Sequence, residues 1–365
     1  MQKINMAEMY HDKEITDSVL SVISSGKYIK GENNKKFEAE FSDFCNTKHS
    51  VVVNSGTNAL ILALKSLGIK KGDEVIIPSH TFIATANAVL FCGAKPVFAD
   101  INKENYTINA EEIKSKITKK TKALIPVHIY GHPCDMDEIS ELAKEKDINI
   151  VEDACQAHGA EYKGKTAGSL GDIAAFSFFP SKNMTVAGDG GAITTNNDEI
   201  AEKAAAIRDQ GRKEGEKYYH DYPGLNLRLS EIHAAIGRVQ LKHLNEWNKI
   251  RRNNAGYYTA YFEGNPHIVT PNEEKWARAV YHQYVIRAEK REQLQDYLSK
   301  NGISSGIHYP LPVHLQPAMK GFTDPVNLKV TEEIAKSILS IPVHPFLKEE
   351  ELEYISEKIT EFYRK

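Results

Sequence analysis

The sequence lacks the features that mark membrane, secreted and nucleic-acid-binding proteins. None of its apolar runs approaches the roughly 18 residues that a membrane-spanning helix requires, and its first residues, MQKINMAEMYHDKE, lack the apolar core of a secretory signal. Its 46 basic and 49 acidic residues nearly cancel, so it has no charge surplus with which to bind a phosphate backbone. We therefore expect a soluble, cytoplasmic protein whose partners include neither a membrane nor a nucleic acid.

Cysteine is also scarce, and the four cysteines stand without CxxC spacing at Cys45, Cys92, Cys134 and Cys155. A chain of 365 residues can bury a core without disulfide bonds, so we expect reduced, structural thiols. The segment His128–Cys134 (HIYGHPC) contains an i, i+4 histidine pair, which can bind a metal when it lies on a helix. Gly131 and Pro133 disfavour that helix, so the segment predicts a strand end that turns into a loop, and no metal site is predicted.

Between residues 49 and 195, short β-branched runs alternate with helix-length segments, which is typical of a parallel sheet covered by helices. The predicted strands are His49–Asn54, Glu74–Pro78, Pro96–Ala99, Ala123–His128, Ile148–Glu152, Ile173–Phe178 and Gly191–Thr195. The predicted helices between them are Thr57–Ser66, Ile83–Phe91 and Met136–Lys146. Ligands of open parallel sheets bind at the carboxyl ends of the strands, so we expect the functional site there.

The last third of the chain predicts a long helix followed by a smaller lobe. An apolar stripe with helical spacing runs from Ser230 to about Phe262. The elements predicted after it are a strand at Val280–Arg287, a helix at Arg291–Lys300, a loop at His308–Gln316 and two more helices. We therefore expect an α/β protein in which residues 1–250 form a large domain around a mainly parallel sheet. Residues 251–365 are predicted to form a smaller α+β domain.

One predicted strand end carries residues that suit a phosphate. The segment Asn54–Asn58 (NSGTN) lies between a strand and a helix, where backbone N–H groups around Gly56 and the hydroxyls of Ser55 and Thr57 can converge on an anion. Ser177, near the end of another strand, can add a further hydroxyl. An ordinary helix cap explains the segment equally well, because Ser and Thr are common at that position.

Other strand ends carry residues that suit an aromatic cofactor. Asp153 can hold a protonated ring nitrogen, and Gln156 can donate a hydrogen bond to a phenolic oxygen of the ring. Lys182 follows three aromatic residues in an apolar turn, where loss of water makes an amine nucleophilic. Phe82 can stack on the ring. The plainer alternatives are a helix cap for Asp153, a solvated side chain for Lys182 and a core position for Phe82.

Together these motifs resemble the DegT/DnrJ/StrS family of sugar aminotransferases, which has pyridoxal-phosphate (PLP) fold type I, like aspartate aminotransferase. Order, spacing and residue type agree over nearly the whole chain. The matching segments are Tyr28–Gly31 (YIKG), Gly72–Val75 (GDEV), Asp153–Gln156 (DACQ), Phe178–Lys182 (FFPSK), Gly188–Gly191 (GDGG) and His308–Pro310 (HYP).

The resemblance implies a role for each candidate in binding pyridoxal 5'-phosphate, with pyridoxamine 5'-phosphate as the intermediate form. Lys182 is the implied catalytic residue and covalent anchor, Asp153 pairs with the pyridine nitrogen, and Gln156 meets the phenolic oxygen. The residues implied to hold the phosphate are Ser55, Gly56, Thr57 and Ser177.

The resemblance also implies a homodimer with shared active sites, because an asparagine from the neighbouring subunit, here Asn226, completes the phosphate site in this family. Tyr28, Lys30, His308 and Tyr309 are implied to border the cleft for the sugar nucleotide.

The expected reaction moves the amino group of L-glutamate to a nucleotide-linked keto-sugar. The segment Lys217–His220 (KYYH) resembles members that aminate C3 and favours C3 over C4, while the residues leave dTDP, UDP and GDP as equal alternatives. Three other functions remain open on the same fold: a sugar dehydratase, a cyclitol aminotransferase acting on a scyllo-inosose-type ketone, and a non-catalytic regulator. Lys182 disfavours the dehydratase, which resembles this family with histidine in the lysine's position.

Overall fold

The computed structural model describes residues 3–213 and 215–364. The strands are β1 (His49–Val53), β2 (Glu74–Pro78), β3 (Lys95–Ala99), β4 (Thr121–Leu124), β5 (Asn149–Asp153), β6 (Glu161–Tyr162), β7 (Lys165–Thr166), β8 (Ile173–Ser177), β9 (Gly191–Thr195), β10 (Ile268–Val269), β11 (Ala277–Arg278), β12 (Tyr284–Ala288) and β13 (Ile338–Ile341). The helices are α1 (Lys13–Ser25), α2 (Glu32–Cys45), α3 (Gly56–Ser66), α4 (Ala84–Phe91), α5 (Ala110–Lys116), α6 (Met136–Lys146), α7 (Asp198–Arg208), α8 (Glu231–Tyr261), α9 (Arg291–Lys300), α10 (Lys329–Ile334) and α11 (Glu349–Arg364). Short 3₁₀ turns lie at Ile129–Gly131, Val313–Leu315 and Pro317–Met319.

The central sheet has seven strands in the order β1-β9-β8-β5-β4-β2-β3. Pairing is parallel from β8 to β3, and β9 runs antiparallel to both of its neighbours. The predicted α/β class with a mainly parallel sheet is therefore confirmed, and each of the seven predicted strands has a counterpart in this sheet. Their continuous apolar runs follow from burial on both faces, which a parallel sheet requires.

The strand predicted at Ala123–His128 is too long, since β4 ends at Leu124. Pro126 lacks the N–H that a continuing ladder needs, and the chain keeps only an isolated bridge between Val127 and Asp153. The N–H of His128 still donates to the carbonyl of Asp153 at 3.1 Å. The chain then enters the turn Ile129–Gly131 beside the carboxyl end of β5.

The sequence did not predict α1, α2, α5 and α7, although side-chain caps mark three of these helices. Asp12, Asn109 and Asn197 each accept a hydrogen bond from a backbone N–H in the first turn of α1, α5 and α7. Such caps compensate backbone donors that a helix start leaves without an intrahelical partner. Within residues 3–213 and 215–364, none of the helices combines the length and apolarity needed to cross a bilayer.

The long helix predicted at 230–262 is confirmed as α8, with Ser230 capping its N-terminus. It passes residues 250 and 251 without a break, and the domain boundary there stays a prediction. Beyond it, β10, β12 and β13 form an antiparallel sheet whose apolar side packs with α9 and α11. The strand predicted at Val280–Arg287 begins only at Tyr284, because the N–H groups of Val280 and Gln283 donate to the turn carbonyls of Gly131 and Tyr130 instead.

Glu152, one residue before the end of β5, is buried and anchors the segment that follows β7. Its carboxylate lies 3.0 Å from Nε2 of His128. It also accepts hydrogen bonds at 2.7 to 2.8 Å from three backbone N–H groups, those of Gly168, Leu170 and Gly171. These bonds fix the carboxyl end of β5, where Asp153 lies.

We expect Glu152→Gln to lower the free energy of unfolding by about 2–4 kcal/mol. The NH₂ group of the glutamine would face buried backbone N–H donors that need an acceptor. Urea denaturation followed by circular dichroism measures this change. Glu145→Gln on the exposed face of α6 is the control and should change stability by less than about 0.5 kcal/mol. Equal stability of Glu152→Gln and the wild type would contradict the anchoring role.

Candidate active site

The carboxyl ends of β1 and β8 bring three predicted phosphate residues together at the start of α3. Ser55 caps that helix, since its Oγ accepts a hydrogen bond from the N–H of Asn58 at 3.1 Å. A Cβ atom added to Gly56 would lie 2.5 Å from Cβ of Ser177 and 3.2 Å from Sγ of Cys155. Glycine is therefore required for this approach, and Thr57 follows in the first turn of α3. The helix cap considered as the plainer alternative is therefore present at Ser55. It lies within a cluster of hydroxyls and N–H groups that suits an anion.

Asp153 ends β5, and its buried carboxylate is held on two sides. The hydroxyl of Thr85 on α4 donates to Oδ2 at 2.8 Å, and the N–H of Cys155 donates to Oδ1 at 3.3 Å. Thr81 lies 2.9 Å from the Thr85 hydroxyl and continues this chain. A carboxylate has about four lone-pair sites, so two donors orient Asp153 and still leave acceptor capacity for a ring N–H.

Gln156 has one amide orientation that its neighbours allow. The backbone N–H of Tyr130 lies 2.7 Å from Oε1, and an N–H can only donate, so the amide oxygen must face Tyr130. The amide nitrogen then faces the opposite side, 3.3 Å from the hydroxyl of Tyr309. This orientation gives Gln156 the donor that the sequence analysis predicted for a phenolic oxygen.

Lys182 follows β8 and is partly exposed in the cleft. Burial of the amine among protein atoms lowers its pKa below the ordinary value, and the opposing effects of Cys155 and Asp153 do not cancel this shift. The pKa of His308 is lowered by burial and by the charge of Lys182. Lys182 therefore interacts electrostatically with groups from both β5 and the C-terminal lobe. Lys182 is therefore not the fully solvated surface lysine considered as the plainer alternative.

Phe82 and Tyr309 form an aromatic pair at the cleft, with ring centroids 5.8 Å apart and planes tilted by 38°. Phe82 is 53% exposed, so the core position considered for it is wrong. His308 is held at both ends: Nδ1 lies 2.8 Å from the Ser340 hydroxyl, and its carbonyl accepts from the hydroxyl of Tyr130. With His308 held in this way, the hydroxyl of the next residue, Tyr309, lies within hydrogen-bond distance of Gln156.

Two of the remaining predicted residues, Lys30 and Asn226, lie next to Asp209. Nζ of Lys30 lies 2.6 Å from the Asp209 carboxylate, which also pairs with Arg228. Asn226 forms a backbone bridge with Asp209, and its side chain is exposed. Tyr28 is 47% exposed. Lys30, Asp209 and Arg228 line an open groove of about 1330 Å³.

Thr85, Tyr130 and His80 were not predicted from the sequence as site residues. Thr85 lies in a predicted helix, and only its polar side chain on a buried face distinguishes it. Tyr130 belongs to the HIYGHPC segment, which was considered only for metal binding. His80 neighbours the predicted Phe82 and contacts the Tyr130 hydroxyl through Nε2 at 2.6 Å.

The residues at these strand ends fit PLP. The approach of Ser177 to Gly56 leaves no room for a Cβ, which suits a compact phosphate cradle. Asp153 retains acceptor capacity for a pyridinium nitrogen, and Gln156 directs a donor away from Tyr130. Lys182 has the lowered pKa of an amine that acts as a nucleophile. The donor set thus contains a partner for each polar group of the cofactor.

Comparison with known proteins agrees with this geometry. A pleiotropic regulatory protein from Geobacillus stearothermophilus is 44% identical over 99% of this chain and 98% of its own length. The dTDP-3-amino-3,4,6-trideoxy-alpha-D-glucose transaminase of Streptomyces venezuelae is 44% identical over 91% of this chain and 88% of its own. Among solved structures, S. venezuelae DesV in complex with a ketimine intermediate has a TM-score of 0.97 and 40% identity, with 100% of both chains covered. Bacillus subtilis NtdA with bound cofactor PMP has a TM-score of 0.94 and 29% identity, covering 100% of this chain and 86% of its own.

The fold, the site and these similarities define the class of protein, which is a PLP-dependent aminotransferase of fold type I. The model of the DegT/DnrJ/EryC1/StrS aminotransferase family matches residues 9–360, and the chain belongs to that family. The resemblance stated from the sequence is therefore confirmed, as is the cofactor. The role of each site residue stays a prediction.

In cofactor-free protein, we expect the Lys182 amine to be half-labelled by acetic anhydride at a pH below the ordinary lysine value of about 10.4, because burial disfavours the ammonium form. Competitive isotopic labelling followed by mass spectrometry measures this midpoint for each lysine. Asp153→Asn should lower the midpoint further, since the negative charge of Asp153 raises the lysine pKa. A midpoint at the ordinary lysine value would contradict the desolvated amine.

Proposed function

We propose that this aminotransferase moves the amino group of L-glutamate to a nucleotide-linked keto-sugar, at C3 in preference to C4. The observation that carries the proposal is the position of Lys182, on the segment after β8, where burial lowers the pKa of its amine and the charge of Asp153 at the end of β5 acts on it. A relative that is 44% identical over 91% of this chain bears the name of a transaminase for a dTDP-3-amino sugar, which supports both the substrate class and C3.

The chain's own residues divide the chemistry between them. When bound, PLP supplies an aldehyde that exchanges for an amino group and a pyridinium ring that stores electrons. Asp153 holds the proton on the ring nitrogen, and Gln156 donates to the phenolic oxygen. Lys182 Nζ would take the proton from the α-carbon of glutamate and deliver it to the cofactor carbon that bears the amino group, and in the second half of the reaction it would move a proton from that carbon to the sugar carbon. The phosphate is held by Ser55, Gly56, Thr57 and Ser177, and Phe82 packs on the ring.

The sugar end of the cleft is proposed to involve Tyr28, Lys30, His308 and Tyr309. The KYYH segment supports a sugar or subunit contact, because Tyr218 and Tyr219 are 81% and 66% exposed. Lys217 and Lys213 lie 5.2 and 5.9 Å from the ring centroids of these tyrosines. The two exposed rings with lysine side chains beside them thus offer aromatic and cationic groups that a ligand or a second subunit could contact.

We further propose a homodimer in which Asn226 completes the phosphate site of the neighbouring subunit. The exposed side chain of Asn226 supports this role. Exposed apolar side chains supply a surface that a second subunit would cover, namely Leu20, Ile23, Tyr28 and Ile29. The cysteines are free, which supports a location in the reducing cytoplasm.

A regulatory role is the second candidate, favoured by the name of the G. stearothermophilus relative. A regulator needs no turnover, whereas an aminotransferase must change its bound cofactor when glutamate is added. The two candidates therefore differ in a direct spectroscopic test.

With PLP bound, we expect a visible absorbance band that L-glutamate converts to the near-ultraviolet band of the pyridoxamine form. A keto-sugar should then restore the visible band, and a panel of nucleotide-linked 3-keto and 4-keto sugars should give the fastest recovery with a 3-keto sugar. Stopped-flow absorbance measures both half-reactions. Lys182→Ala should slow each of them by at least about a thousandfold, because it removes the group that moves the proton.

A visible band that glutamate leaves unchanged would contradict the aminotransferase and favour the regulator. Faster recovery with 4-keto sugars would overturn the preference for C3 alone. Recovery only with a cyclitol ketone would overturn the sugar as substrate.

For the shared site, we expect hybrid dimers of Lys182→Ala and Asn226→Ala chains to recover activity that each variant lacks. In a hybrid, one site combines Lys182 from one chain with Asn226 from the other and is intact, so random mixing gives about a quarter of the wild-type activity. Activity after joint refolding, compared with unmixed variants, measures this recovery. Full activity of Asn226→Ala by itself, or a monomer by light scattering, would contradict the shared site.

A further inference from the structure

The HIYGHPC segment singled out in the sequence has its polar groups engaged within the protein. Nε2 of His128 lies 3.0 Å from Glu152, and Nδ1 accepts from the N–H of Cys134 at 3.0 Å. Nε2 of His132 accepts from the N–H of Glu274 at 3.2 Å. Both imidazoles thus form structural hydrogen bonds within the protein. Tyr130, at the centre of the segment, differs from them because its contacts reach the cleft.

Tyr130 contacts the cleft in two ways. Its backbone N–H orients the Gln156 amide, and its hydroxyl donates to the carbonyl of His308, 178 residues away in the chain. Because a carbonyl only accepts, the hydroxyl oxygen is left to accept from Nε2–H of His80. Burial lowers the pKa of His80 to about 4, so at neutral pH this ring is uncharged and carries its single proton on Nε2.

The turn around Tyr130 is closely confined. Tyr130 has φ 57° and ψ 8°, in the left-handed region that is costly for a non-glycine residue. A Cβ on Gly131 would lie 2.9 Å from Cγ2 of Val280 and 3.1 Å from the carbonyl of Gln156. The N–H of Val280 also donates to the carbonyl of Gly131 at 3.0 Å. The turn is thus packed between β5's carboxyl end and the segment that leads to β12.

We propose that Tyr130 is a positioning residue whose hydroxyl holds the His308–Tyr309 segment over the cleft while its backbone N–H keeps the Gln156 amide nitrogen facing the cleft. The functional meaning of this arrangement rests on the proposed function. Tyr130, which is buried, thereby fixes the position of Gln156 after β5 relative to the His308–Tyr309 segment of the C-terminal lobe. Tyr130→Phe separates the two contacts, because it removes the hydroxyl and retains the N–H.

Tyr106→Phe is the matched control. Tyr106 is buried in the same aromatic cluster, with ring centroids 5.9 Å from Tyr130 and 6.1 Å from His80. Its hydroxyl interacts with Arg287 and not with His308. Both variants therefore remove one buried hydroxyl from one cluster, and only the first removes a contact to the cleft.

The first measurement is hydrogen exchange by mass spectrometry on peptides from 305–316, in cofactor-free and PLP-loaded protein. Gly306 and Val313 have protected amides in this segment, donating to the carbonyls of Ser340 and Ser79. We expect exchange there to be about fivefold faster in Tyr130→Phe, as for loss of one hydrogen bond, and unchanged in Tyr106→Phe. Unchanged exchange in Tyr130→Phe, or equal acceleration in both variants, would overturn the proposal.

The second measurement is the pH midpoint of the visible absorbance of the PLP-loaded protein. A donor to the phenolic oxygen favours the high-pH form, in which that oxygen bears more negative charge, so Gln156→Leu should raise the midpoint by about one pH unit. Tyr130→Phe should retain the wild-type midpoint, because the N–H that orients Gln156 remains. A Tyr130→Phe midpoint raised as far as that of Gln156→Leu would indicate a general disturbance of the site and overturn the assignment. Neither measurement requires turnover, so failure of the proposed function is detected separately by the glutamate test.

Discussion

Loss of water around the Lys182 amine is the constraint on which the rest of the site depends. Burial lowers the pKa of this amine, while the charge of Asp153 raises it, and burial prevails. In its predicted role the Asp153 carboxylate pairs with a ring nitrogen, so it must be held in place and keep an acceptor position free. The hydroxyl of Thr85 and the N–H of Cys155 bind that carboxylate and orient it, while two donors leave acceptor capacity for a ring N–H. An amine with a lowered pKa and an oriented carboxylate thus share one cleft.

The central sheet could be predicted from the sequence, because strands buried on both faces appear as short apolar runs. Errors arose where one residue changed the backbone pairing. Pro126 ended β4 early, and the donation of Val280 and Gln283 to the turn at Tyr130 delayed the start of β12. The amphipathic surface helix α1 was missed although Asp12 caps it, since a single cap residue is a weak signal without strong apolar spacing.

The residues of the site likewise include some that could be predicted from the sequence and some that could not. Asp153, Gln156 and Lys182 could be placed near the cleft from the sequence, because each lies in a motif at or after the end of a strand, where a parallel sheet collects its ligands. Thr85 and Tyr130 were not, because their roles consist of contacts with residues 68 and 178 positions away. Such contacts leave no local pattern in the sequence. The positions of the candidate residues were therefore predictable from type and spacing, whereas the residues that contact and orient them could be found only from the fold.

The same orienting residues bear on whether the site is used, since a fold by itself does not establish activity. A regulator needs a surface, and it gains nothing from an amine held where its charged form is disfavoured. A desolvated lysine reduces stability relative to a solvated one, and the close approaches that require glycine at Gly56 and Gly131 restrict the chain further. These costs fall on the groups that face one cleft, between β5, α3 and the His308–Tyr309 segment. Their concentration there is the arrangement that binding and proton transfer require, and it favours a working enzyme over a regulatory surface on the same fold.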